Sequence, residues 1–164
     1  MNRKADIISQ LQEGGRQTER FFRSLDPAAL HTPVYTDELT WNVRQVLAHF
    51  ITIEQSMQWL FRNILAGGPG SPEDFDLMRY NREQPPKLDN LSLDELLSRF
   101  RSVRRETIDI VESMDESDLD RTGRHPYHGI DRLEVFIRWA AEHARRHEND
   151  VRRALPGSSQ LFSD

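Results

Sequence analysis

Apolar residues recur along this chain at three- and four-residue intervals, the period of a helix with one buried face. The first stripe, Ile7, Ile8, Leu11, Phe21, Phe22 and Leu25, predicts a helix from about Arg3 to Leu25. Gly14 and Gly15 interrupt it, at about 1 kcal/mol each in a helix interior. The pair marks a close helix approach, a break, or a wall left open for a ligand. "LDPAAL" follows, with Pro27 suited to the first turn of a short helix. The second stripe, through Val46, Phe50, Ile53, Met57, Phe61 and Ile64, predicts a helix from about Trp41 to Leu65 with Thr40 as its N-cap. "AGGPGSP" stops it. The third helix opens on a Ser92/Glu95 capping box, stapled by Leu91 and Leu96, and runs to about Met114. The fourth opens on Asp131 and Glu134, with Ile130 and Val135 as staple, and ends near Leu155 before Pro156–Gly157. No segment alternates as a strand does.

Four amphipathic helices of this length predict an all-α four-helix bundle. The connection at 67–90 is rich in turn residues and too long for a tight helical hairpin, which predicts an irregular crossover between the second and third helices. Loops of this length are often functional. One domain over 1–155 and a C-terminal tail at 156–164 account for the length.

Composition narrows the function. The 164 residues include no cysteine, which removes disulfides, a cysteine nucleophile and thiolate metal sites, and fits a cytoplasmic location. "MNRKADIISQ" lacks the apolar core of a secretory signal, and no stretch is long enough to span a membrane. The net charge of −5 makes nucleic acid a poor partner. The arginine pairs are interleaved with acids, as on a solvated helix face.

The chemistry-bearing pattern is "HARRH", with His143 and His147 four positions apart on the last predicted helix. At about 100° per residue, His147 falls inside the apolar stripe and His143 at its edge. Imidazoles at i and i+4 are close enough to share a metal. An ordinary pair, one packed and one half-exposed, fits the spacing equally well. His49 on the second helix lies at the margin of that helix's stripe, where it can face a neighbour and supply a third ligand. Three neutral imidazoles with an open position suit zinc, nickel or iron. The metalloprotease motif is absent, because Ala144 stands where it needs Glu.

These residues carry a family resemblance. "WNVRQVLAH" at 41–49, "FDLMRYN" at 75–81, "GRHPYHG" at 123–129 and "HARRH" at 143–147, taken in order, resemble the DinB-like superfamily of metal-binding four-helix bundles, which is unrelated to the DNA polymerase of that name. The resemblance implies a divalent metal held by one ligand from the second helix and two from the fourth, here His49, His143 and His147. It also implies a homodimer and chemistry related to enzymes that use bacterial low-molecular-weight thiols.

Other candidates follow. Glu54 sits inside an apolar stripe, as a general base, as a second-shell partner of a metal-bound histidine, or as the ion-pair partner of Arg104. Tyr80 and Asn81 on the long connection, and Tyr127 before the fourth helix, are candidate pocket residues. His125 and His128 read better as parts of a structural turn. Trp59, on the polar side of its helix, marks a packing or dimer surface.

With no cysteine in the chain, a thiol would have to be a co-substrate. The leading functional expectation is a metal-dependent thiol transferase acting on a small electrophile, with zinc or nickel, then iron, as the ion. The alternatives are a metal-assisted hydrolase and a non-catalytic, stress-linked bundle that binds metal or a small molecule.

Overall fold

The computed structural model describes residues 2–157, so 158–164 of the expected tail lie outside the described residues. Four long helices dominate: α1 (Arg3–Ser24), α2 (Val43–Leu65), α4 (Leu93–Ser113) and α5 (Leu133–Ala154). A short helix, α3 (Leu77–Glu83), lies within the long connection that was expected to be irregular. Two small antiparallel hairpins were not anticipated: β1 (Pro33–Thr36) with β2 (Thr40–Asn42), and β3 (Thr122–His125) with β4 (Gly129–Arg132). Their strands have three or four residues, too few to show alternation.

Around the bundle the order is α1, α4, α2, α5, so the first two long helices lie across a diagonal. The 25–42 segment makes that crossing and uses β1–β2 on the way, pairing Tyr35 with Trp41. The long connection from α2 to α4 is pinned at Gly70, where φ is +90° and Ser71 N–H donates to the Arg124 carbonyl at 2.8 Å. A Cβ on Gly70 would meet the Arg124 backbone at 2.5 Å, so only glycine fits this approach.

Helix starts differ where tertiary contacts outweigh local pattern. The N-cap of α2 is Asn42, in a capping box with Gln45, because Thr40 is held in β2. Helix α5 begins after Arg132 with no side-chain cap. Asp131 is in β4 opposite Gly123, Ile130 is 70% exposed, and Glu134 pairs with Arg3 at 2.8 Å. The box at Ser92/Glu95 is present as expected.

Apolar packing forms two clusters. One is built around Leu11, Ile53, Phe61, Val111 and Phe136, the other around Phe22, Leu47, Phe50, Phe100 and Val151. On α2 the change from one to the other falls between Ile51 and Ile53, and on α5 between Ala140 and Ala144. Buried polar side chains gather at this seam. Arg104 donates to Glu54 at 2.8 and 3.0 Å, and to the carbonyls of Leu11 and Ala140. The glycine pair in α1 belongs here. α1 runs through it unbroken, and a Cβ on Gly15 would come within 3.3 Å of Arg104 Cγ. Glycine lets the arginine cross beside α1 to reach Glu54.

Candidate metal centre

His49 projects from α2 and His143 and His147 from successive turns of α5, close to the seam. The i,i+4 spacing stacks the two α5 imidazoles on one face. Their Nε2 atoms are 2.9 Å apart, and His49 Nε2 is 3.3 Å from that of His143. One nitrogen from each ring falls in a group whose members all lie within 4.8 Å of one another. Nitrogens held at about 2.0–2.1 Å from a common ion would be separated by about 2.9 Å in octahedral and about 3.3 Å in tetrahedral geometry. The observed spacings match the edges of such a shell.

Protonation agrees with a ligand role. Burial, with the nearby His143 and His147 charges, holds His49 well below the usual imidazole pKa, and burial does the same for His143. Burial brings His147 down to about 4, helped by Arg146 and opposed by Asp150. All three are therefore neutral near pH 7, as metal-ligating histidines are.

A hydrogen-bond chain fixes the tautomer of His147. Tyr35 Oη lies 2.6 Å from Asp150 Oδ2 and 2.6 Å from His147 Nδ1. The carboxylate can only accept, so Tyr35 gives it the phenolic proton and accepts from His147 Nδ1–H. The lone pair of His147 is then on Nε2, the atom facing the other two rings. Burial and the Asp150 bond push the Tyr35 pKa up and keep it protonated. This orienting partnership is the kind that metal-bound histidines use. His49 Nδ1 is buried with no partner among the described residues. Trp41 covers the His49 ring at 4.5 Å between centroids, and Trp139 covers His143 at 4.3 Å.

The cluster forms part of the wall of an open cleft of about 860 Å³, built by α2, α3, α5 and the two hairpins. Asn81 and Tyr127, two of the candidate pocket residues, line it. The Asn81 Oδ1 atom is buried without a partner among the described residues. Tyr80 is placed differently: its hydroxyl donates to the Thr52 carbonyl at 2.6 Å and its ring packs against Phe75, tying α3 to α2. Of the three readings of Glu54, the geometry displays the ion pair, with both carboxylate oxygens on Arg104. His125 Nδ1 accepts the backbone N–H groups of Tyr127 and His128 at 3.0 and 3.1 Å, which makes it the pivot of the β3–β4 turn. A separate groove of about 640 Å³ between α1 and α5 brings together no comparable ligand set among the described residues.

A family model described as the DinB superfamily matches residues 10–150. The chain belongs to the DinB superfamily. A Bacillus mycoides (strain KBAB4) relative is 27% identical over 142 residues, covering 85% of this chain and 78% of its own length, and is named provisionally as a metal-dependent hydrolase. Among solved structures, YfiT from Bacillus subtilis superposes with a TM-score of 0.68 at 18% identity, covering 96% of this chain and 87% of its own. It is described as having an unusual four-helix bundle topology and, provisionally, as a metal-dependent hydrolase. The colibactin self-resistance protein ClbS, solved with double-stranded DNA, gives a TM-score of 0.73 at 14% identity, covering 94% of this chain and 96% of its own. At these identities the structural likeness speaks for the DinB fold alone.

Sequence reasoning missed Tyr35 and Asp150. Asp150 sits three residues after His147 and was legible as a neighbour on the same helix face. Tyr35 is 112 positions away from His147, and no local spacing announces it.

Proposed function

We propose that this DinB protein is a metal-dependent enzyme in which His49, His143 and His147 hold one divalent ion, and that it transfers a low-molecular-weight thiol to a small electrophile. The observation that carries the reading is the convergence of three neutral imidazole nitrogens, at 2.9 and 3.3 Å, on the wall of an open cleft. Such an ion supplies a Lewis acid that lowers the pKa of a thiol or water brought to it.

The remaining work falls to the chain. Tyr35 and Asp150 hold His147 in its ligating tautomer. Trp41 and Trp139 shield two of the rings from water. Tyr127 and Met78, both exposed, offer an apolar wall for the electrophile. Small-molecule pockets span about 300–1,000 Å³, so a cleft of about 860 Å³ has room for two small co-substrates together. No cysteine is present to serve as an internal nucleophile.

The second reading, hydrolysis, is favoured by the names of the relatives. In it, water takes the place of the thiol at the same site. Zinc or nickel is the proposed ion, with iron next, since imidazole suits all three. A homodimer and a cytoplasmic location complete the reading. The net charge of −5 argues against a duplex such as the one ClbS is solved with. No helix of the described residues is long and apolar enough to cross a membrane.

The test is turnover of a chromogenic aryl halide and an aryl ester by the full chain, loaded with zinc, nickel or iron, with and without N-acetylcysteine. Turnover that needs both metal and thiol supports thiol transfer. Turnover with metal alone moves the assignment to hydrolysis. Tight metal binding without turnover of either substrate would leave a non-catalytic binding bundle.

A further inference from the structure

Arg146 differs from most arginines of the chain in lacking a carboxylate. Arg3 is paired with Glu116, Asp120 and Glu134, Arg138 with Asp6 and Glu134, and Arg104 with Glu54. Arg146 has Glu142 and Asp150 one helical turn to either side, the spacing at which ion pairs form on a helix. Neither is within pairing distance of it, and among the described residues no other carboxylate is. Asp150 is engaged by Tyr35 and Arg153 instead. Arg146 lines the cleft beside His143 and His147.

We propose that Arg146 is an anion-binding residue of the cleft, and that the cleft takes a small molecule carrying a carboxylate or phosphate on an apolar body. The proposal rests on the metal reading above. Three neutral imidazoles leave both charges of a divalent ion uncompensated, and Arg146 adds a third positive charge beside them. Charge of one sign gathered at one part of a concave site concentrates ligands of the other there, and a guanidinium matches carboxylate and phosphate with paired donors; Asp150, which also lines the cleft, is held by Tyr35 and Arg153. Asp37 and Glu38, on the β1–β2 turn, also line the cleft and disfavour an anion at that end. The apolar body has its own surface, offered by the β3–β4 turn, α3 and α5. Tyr127, 63% exposed, stacks at 6.1 Å on Trp139, and Met78, 42% exposed, lines the same cleft. Exposed aromatic and thioether side chains at a cleft are the kind of surface that a ligand covers.

The experiment titrates the zinc-loaded full chain with 4-phenylbutyrate, phenethyl phosphate and the neutral 4-phenylbutanamide, following tryptophan fluorescence. Wild type is compared with Arg146→Gln, Arg146→Lys and Arg145→Gln, the last removing the same charge from the neighbouring position. At least one anion is expected to bind wild type and Arg145→Gln about tenfold tighter than the amide. Arg146→Gln is expected to lose that preference with the amide unchanged, and Arg146→Lys to keep part of it. Which anion keeps the larger preference separates carboxylate from phosphate substrates. Equal binding of anions and amide, no binding of any probe at millimolar concentration, or equal losses in Arg146→Gln and Arg145→Gln would overturn the proposal. Zinc content is measured on the same samples. A chain that takes up no zinc yet keeps an Arg146-dependent preference overturns the metal reading and leaves the anion subsite standing. A zinc-loaded chain without that preference does the reverse.

Discussion

Two polar clusters share the middle of α2, five positions apart, and they are built on opposite terms. Glu54 is buried against Arg104, and both carboxylate oxygens take hydrogen bonds from one guanidinium that also caps two helix carbonyls. His49 is as deeply buried, yet its Nδ1 has no partner among the described residues and its Nε2 faces the imidazole of His143, which faces that of His147 in turn. A buried polar group normally has its partners within the fold. The first cluster obeys that rule, so its role is to hold α1, α2, α4 and α5 together. The second leaves His49 Nδ1 without a partner among the described residues and turns three imidazole nitrogens toward one another, an arrangement suited to the ion proposed above. Satisfaction of buried polar atoms, more than residue type or burial, distinguishes a structural charge from a binding site here.

The largest effect is expected from breaking the satisfied pair. Arg104→Ala leaves the Glu54 carboxylate buried alone and should cost about 3–5 kcal/mol of unfolding free energy in urea. Zinc stoichiometry should stay at the wild-type value. The Glu54→Leu, Arg104→Met double variant should recover most of the loss. If Arg104→Ala remained folded but lost zinc, the two clusters would be one unit and the contrast would fail.

The unsatisfied cluster should respond to metal almost as strongly. Zinc at about a thousand times its Kd should add about 4 kcal/mol of stability. An excess of chelator should remove it, and thermal unfolding of His49→Ala should be indifferent to zinc. A wild-type melting temperature unmoved by zinc would count against a preformed site.

Acid sharpens the same comparison in the metal-free protein. His147 and His125 both have folded pKa values of about 4 against 6.5 for an ordinary imidazole, burial being the main cause. Between these values the unfolded chain binds more protons than the folded one. Stability is therefore complete above about 6.5, falls as the pH drops through the window, and levels off below about 4. Each group contributes up to about 3 kcal/mol. Denaturation curves at pH 7.5, 5.5 and 4 read this directly, and equal stability at all three would contradict it.

The smallest effect concerns orientation. Tyr35→Phe removes the hydroxyl between His147 and Asp150 and should weaken zinc binding by about 10–100-fold, while costing about 1 kcal/mol of stability. Unchanged affinity would mean that His147 is set by packing alone.

The bundle was legible because α1, α2, α4 and α5 each carry a long apolar stripe, and the Ser92/Glu95 box marks a helix start by purely local chemistry. The hairpins were not, because Pro33–Thr36 and Thr40–Asn42 are too short to show a period and depend on pairing. The second helix start was readable in "NVRQ", whose Asn42 and Gln45 cap each other, but Trp41 looked like a member of the helical stripe. At α5 the local signal was misleading: Asp131 and Glu134 have capping-box spacing, yet strand pairing takes one and Arg3 the other. At the site, "HARRH" and His49 were visible as ligand types with the right facing. The resemblance, more than spacing, joined them into one set. The Tyr35 contact and the empty pairing shell of Arg146 are products of tertiary structure and leave no local trace.

The central claim is that three histidines share one ion, and equilibrium zinc binding tests it most directly. Wild type and the single variants His49→Ala, His143→Ala and His147→Ala are titrated in competition with a chromophoric chelator at pH 7.5. The expected result is one zinc per wild-type chain, and an affinity at least about 100-fold lower in every variant, since losing a ligand should exceed the loss of a ligand's orienting partner. Wild-type stoichiometry and affinity in any of the three would contradict a shared centre.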